Sequence, residues 1–168
     1  MSFAMTKEER EAFLAETHVA VVSIADDGRG PLTVPVWYRY EPGGDVLIGT
    51  GRDTRKAELI RKAGRMSLLV QSETPPYKYV SIEGPVRIDE AADITELARA
   101  TAIRYLGEQM GAAYFESTQN ERAESVLVVM TPERWLTVDY GKMVGVVVGY
   151  RLQYRLWVRR PAHARPWR

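Results

Sequence analysis

GTGRDTRKAELIRKAGRMSLLV, residues 49 to 70, is the stretch on which the reading of this chain turns. It leaves an apolar run, passes two glycines and opens a short helix. Asp53 or Thr54 can cap that helix, because their side-chain oxygens accept the free amides of a first turn. Gly64 marks its stop, since glycine tolerates the left-handed conformation that ends helices. Arg55 and Lys56 then sit in the first turn, beside unpaired N–H groups and the positive end of the helix dipole. Cations alone are poorly placed there. They make sense if an anion rests on that end, and phosphate is the usual guest. The plainer reading is a solvated helix face, which suits Arg61, Lys62 and Arg65. The stretch lacks the Walker A spacing and the G-x-G-x-x-G fingerprint, so neither nucleotide-loop class applies.

Working outward, Thr6-Lys7-Glu8-Glu9 is a capping box that starts a helix running to about Thr17. Strand patterns follow at His18–Ala25, Leu32–Tyr40 and Asp45–Thr50, separated by the turns Asp26–Gly30 and Glu41–Gly44. Pro35 cannot donate a ladder hydrogen bond, so an edge or a bulge is expected there. After the short helix come strands at Arg65–Glu73 and Tyr77–Ile88, the second broken by Gly84-Pro85, which suggests a kink or a barrel corner. A 3.6-residue period through Ile94, Leu97, Ala98, Thr101, Tyr105 and Leu106 gives a helix over Ala92–Met110. Gly111–Arg122 reads as a loop or frayed helix, and Ser125–Met130 and Arg134–Val138 as two more strands. The fold class is therefore mainly β with helices (α+β). About seven short strands with hairpin-length links favour an antiparallel barrel over an open sheet.

Composition narrows the function. The chain has 168 residues and no cysteine, which excludes disulfides, thiolate catalysis and iron–sulfur clusters. With two histidines far apart, His18 and His163, a histidine metal site is improbable. No apolar run is long enough to cross a bilayer, and no apolar signal core opens the chain, so a cytoplasmic protein without a membrane partner is expected. Seven Lys or Arg and no acid follow Tyr140, leaving sixteen basic against twenty-two acidic side chains before it. The acidic body argues against general nucleic-acid binding. Residues 1–139 read as one domain. Residues 140–168 read as a basic extension, strand-like to 159 by its strict alternation and disordered beyond. No paired carboxylates and no Ser–His–Asp order suggest hydrolysis.

The strand Pro31–Tyr38 (PLTVPVWY), the unit Thr50–Ile60 (TGRDTRKAELI) with the RMSLLV that follows, and the strand Tyr77–Gly84 (YKYVSIEG) together resemble the pyridoxamine 5′-phosphate oxidase-like family. This is the family of flavin and deazaflavin oxidoreductases with a split β-barrel. The resemblance covers about Thr6 to Asp139. It implies an FMN-binding type of barrel whose cofactor phosphate is held by Arg55 and Lys56, with Thr54 as hydroxyl donor. Val34, Pro35, Val36 and Trp37 would line the ring, and Thr50 and Gly51 would border it. It implies a homodimer with the cofactor at the subunit interface, Tyr77 and Tyr79 approaching the partner's cofactor. F420 is the preferred cofactor, with FMN as alternative; Arg52 and Lys78 would help to hold the longer F420 tail. The implied activity is hydride transfer between that ring and a small organic acceptor such as an enone, quinone or tetrapyrrole. Tyr38 or Tyr79 is a possible proton donor. The substrate pattern of the oxidase itself is missing, Arg134-Trp135 being a poor match. The alternative is a non-enzymatic flavin, F420 or haem carrier or sensor, although His18 is the single histidine in the body to ligate haem.

Overall fold

A computed structural model describes residues 2–143. Of the extension read at 140–168, the part from 144 onward lies outside the described residues, including the strand expected up to 159.

The chain begins with α1 (Lys7–Ala15), whose capping box forms as the sequence requires: Glu9 N donates to Thr6 Oγ1 at 3.2 Å and Thr6 N to Glu9 Oε2 at 2.7 Å. It buries Phe13 and Leu14. Then come β1 (Ala20–Ile24), β2 (Leu32–Val36), β3 (Val46–Gly51), α2 (Arg55–Ala63), β4 (Arg65–Gln71) and β5 (Lys78–Asp89). Three helices follow, α3 (Thr95–Leu106), α4 (Glu108–Ser117) and α5 (Gln119–Ala123), and the described chain closes with β6 (Ser125–Met130) and β7 (Arg134–Asp139). Every pairing is antiparallel, in the order β2-β1-β4-β5-β6-β3, with β7 also on β5. The ring is drawn together by one bridge, where Arg39 and Leu47 exchange both backbone hydrogen bonds at 2.9 Å. This is an antiparallel split β-barrel with helices. Alternate residues such as Val22, Ile48, Leu68, Val80 and Val128 point inward and are buried.

The corner expected at Gly84-Pro85 is present. β5 pairs with β4 and β7 through its first half, then with β6 from Val86 onward. A Cβ on Gly84 would stand 1.9 Å from the Thr131 carbonyl oxygen, so only glycine lets the strands cross here. Pro35 lies on an edge strand, as expected, since β2 pairs with β1 alone.

Two expectations need correction. β2 ends at Val36, not Tyr40. Beyond it Tyr38 leaves the ladder: its N–H donates to Tyr105 Oη (3.2 Å) and its hydroxyl to Leu14 O (2.7 Å). Side-chain partners there replace a neighbouring strand. The helix expected over Ala92–Met110 breaks at Gly107 (φ 80°), and of the two readings of Gly111–Arg122 the helical one holds: α4 turns back on α3 so closely that a Cβ on Gly111 would lie 2.6 Å from Ile103 Cα.

Candidate functional site

The sequence sets α2 at the mouth of a groove. Thr54 caps it, accepting Ala57 N at 3.3 Å, and Gly64 ends it with φ 63°. The Thr54 hydroxyl donates to Gly51 O at 2.9 Å and lies 3.4 Å from Thr50 Oγ1, so it fastens the loop to the helix. The amides of Arg55 and Lys56 have no intrahelical acceptor by geometry.

Below this end runs a groove of about 840 Å³. Its floor is Gly49, Thr50 and Gly51 on β3, with Ser125 of β6 opposite Gly51. Pro35, Val36 and Trp37 form one flank, and Lys56 closes the α2 end. The other flank comes from Leu97, Ala98 and Thr101 of α3, then Tyr114, Thr118 and Arg122. Trp37 stacks on Tyr105 (5.0 Å between centroids, 6° between planes) and meets Tyr114 edge-on at 5.6 Å. Arg122 lies over the Phe115 ring and donates to Phe115 O and Thr118 Oγ1.

Electrostatics separate Lys56 from its neighbours. Arg55 is held by Asp26 and Glu58, each at 2.8 Å, Arg52 by Glu90 at 2.6 Å, Arg61 by Glu90 and Lys62 by Asp27. Lys56 makes no ion pair among the described residues, and partial burial pushes its ammonium below the ordinary lysine value. A half-buried cation without a counter-charge, facing a groove, is a place for an anion.

Six of the eleven expected residues therefore share the groove: Pro35, Val36, Trp37, Thr50, Gly51 and Lys56. Val34 packs against the core instead. Thr54 holds the loop, Arg55 is tied to Asp26 and Glu58, and neither lines the groove. Tyr77 and Tyr79 line a separate hollow of about 380 Å³ with Lys78. Tyr38 is no proton donor to this groove. It is buried with its hydroxyl on Leu14 O, and desolvation raises its phenol well above the ordinary value. Tyr114, Thr118 and Arg122 escaped the sequence reading. Their four-residue steps are the available signal, too weak to mark a groove-facing helix without an apolar stripe.

The residues present fit a ligand with a flat apolar body and an anionic handle: an apolar flank, a floor of two glycines, and two cations, Lys56 and Arg122, that make no ion pair among the described residues, with Glu121 the one acid in the lining. No group of His, Asp or Glu side chains among the described residues is arranged for a metal, and no described helix is long and apolar enough to span a membrane.

The fold defines a class, the split β-barrels of the pyridoxamine 5′-phosphate oxidase type. The family model for pyridoxamine 5′-phosphate oxidase matches residues 6–139, and the chain belongs to that family. Among solved structures it is similar to an F420 reductase (18% identity, TM-score 0.63, covering 75% of this chain and 94% of that one). A conserved hypothetical protein from Mycobacterium tuberculosis is also similar (19%, TM-score 0.67, 98% and 94%). So is an FAD and heme binding protein from Mycobacterium smegmatis (15%, TM-score 0.61, 81% and 72%). No curated protein matches the sequence.

Proposed function

We propose that the groove holds F420, with FMN as the alternative, and that the protein transfers a hydride between that cofactor and a small organic acceptor. The observation that carries this reading is Lys56, an unpaired and half-buried cation at one end of an otherwise largely apolar groove. Lys56 and the first amides of α2 would bind the phosphate, with Arg122 adding a second positive group. Pro35, Val36 and Trp37 would flank the ring, and Gly49 and Gly51 would let it approach the backbone of β3. A bound flavin or deazaflavin would supply two-electron hydride chemistry, the balancing proton coming from solvent. The walls would position the acceptor. The working unit of this reading is a homodimer, in which Tyr77 and Tyr79 approach the partner's cofactor.

Titration of the purified protein with F420 and FMN, followed by absorbance and fluorescence, tests this directly. Saturable binding of F420 tighter than FMN is expected. Tight FMN with no F420 binding would reverse the cofactor preference, and binding of neither would overturn the reading. Stopped-flow mixing of the reduced, loaded protein with enones and quinones should show oxidation faster than by dissolved oxygen. Without it the protein is a carrier.

A further inference from the structure

The sequence carries five lysines, and all of them lie among the described residues. Four are held as cations. Lys7 stands 3.9 Å from Glu11, Lys62 2.9 Å from Asp27 and Lys142 2.6 Å from Glu9. The Lys78 ammonium sits 4.8 Å over the Phe13 ring. Carboxylates and an aromatic face both favour the charged form, which has no lone pair with which to attack a carbonyl.

Lys56 is the exception. It leaves the first turn of α2, is half-buried and lines the groove of about 840 Å³, which has room for a small organic molecule. The acids that approach α2 are taken by its neighbours, Asp26 and Glu58 by Arg55 and Asp27 by Lys62. Glu121, the one acid in the groove lining, makes no ion pair with Lys56. Burial without a counter-charge favours the free amine, the nucleophilic form. An imine at this nitrogen is neutral, so the same burial favours the product over the ammonium.

We propose that Lys56 is a covalent capture site, at which the cofactor-free protein binds small aldehydes as an imine. Lys56 Nζ bonds to the carbonyl carbon, and the carbonyl oxygen leaves as water with the two amine protons. No electrons are gained or lost, and hydrolysis reverses the step. The site goes beyond the cofactor reading and competes with it, since a phosphate resting on Lys56 keeps its proton in place.

The probe is benzaldehyde, incubated at neutral pH with the full-length, cofactor-free protein and sodium cyanoborohydride, which reduces an imine to a stable benzyl-lysine. Peptide mapping by mass spectrometry then gives a rate for each lysine. Lys56 should be labelled about fivefold faster than any of the other four. Lys56→Arg should remove the fast phase and leave the slow labelling of the others unchanged, its melting curve showing that it folds. Labelling spread evenly over the five lysines, labelling led by another lysine, or no adduct at all would overturn the capture site. Saturating F420 should slow labelling of Lys56 about fivefold and spare the rest. Undiminished labelling of Lys56 in F420-saturated protein would leave the capture site standing and instead sink the placing of the cofactor phosphate on Lys56.

Discussion

Lys56 differs from Arg55, one position before it, in what the fold sets beside it. The turn between β1 and β2 brings Asp26 to Arg55, while nothing acidic reaches Lys56 among the described residues. Lys56→Met should therefore weaken cofactor binding by about 1.5–3 kcal/mol, the scale of a charged hydrogen bond. Arg55→Ala should change it little; calorimetric titration of both variants separates the two. A pH dependence follows from the same burial. The folded protein holds the Lys56 proton less tightly than the unfolded chain, whose value is near 10.5. Stability of the ligand-free protein contributed by this group should then rise as pH climbs through the alkaline range toward 10.5. Melting curves of the protein and of Lys56→Met, compared across that range, check the sign. A bound phosphate reverses the burial effect, so affinity should fall over the same window. Tyr38→Phe leaves the Leu14 carbonyl without its donor and should destabilise by about 1–2 kcal/mol in denaturant titration, with cofactor affinity unchanged.

At the level of elements, what the sequence made legible was what local chemistry decides. The α1 box, the Thr54 and Gly64 caps of α2, the β1 alternation and the Gly84-Pro85 corner each depend on side chains a few positions apart. The α4 and α5 helices were not legible, because they bury little. Gly111 is the one buried residue of α4 and α5 has none, so no apolar stripe marks either. Within the site, Lys56 was readable from the α2 pattern, and the Pro35–Trp37 flank from the family resemblance alone. The groove wall of α3 was not legible as a wall, since one 3.6-residue stripe serves core and groove alike. The partners of Arg52 and Arg55 could not be read at all, being made by residues remote in the chain. Gly84→Ala tests the corner: its new methyl meets the Thr131 carbonyl, and a loss of about 3 kcal/mol is expected in denaturant titration.

On the scale of the whole molecule, β5 is the shared member, joining β4, β7 and β6. β7 in turn is tied to the N-terminal segment, as Asp139 N donates to Phe3 O and Met5 N to Thr137 Oγ1. The two ends of the described chain are thus joined, and Lys142 adds to this by donating to Ala4 O and Glu9 Oε2. A chain cut after residue 143 tests the domain expected to end near 139: if that domain stands alone, the melting temperature should stay within a few degrees. Sedimentation should show the dimer that the cofactor reading requires. The pairing of β3 with β6 joins Thr50 to Val126 across a long stretch of chain, with β4, β5 and four helices between them. Contacts so distant along a polypeptide are slow to find. During refolding the floor beneath the cofactor would then be laid late, and ligand capture would trail the recovery of secondary structure, acting as a clock for the final step.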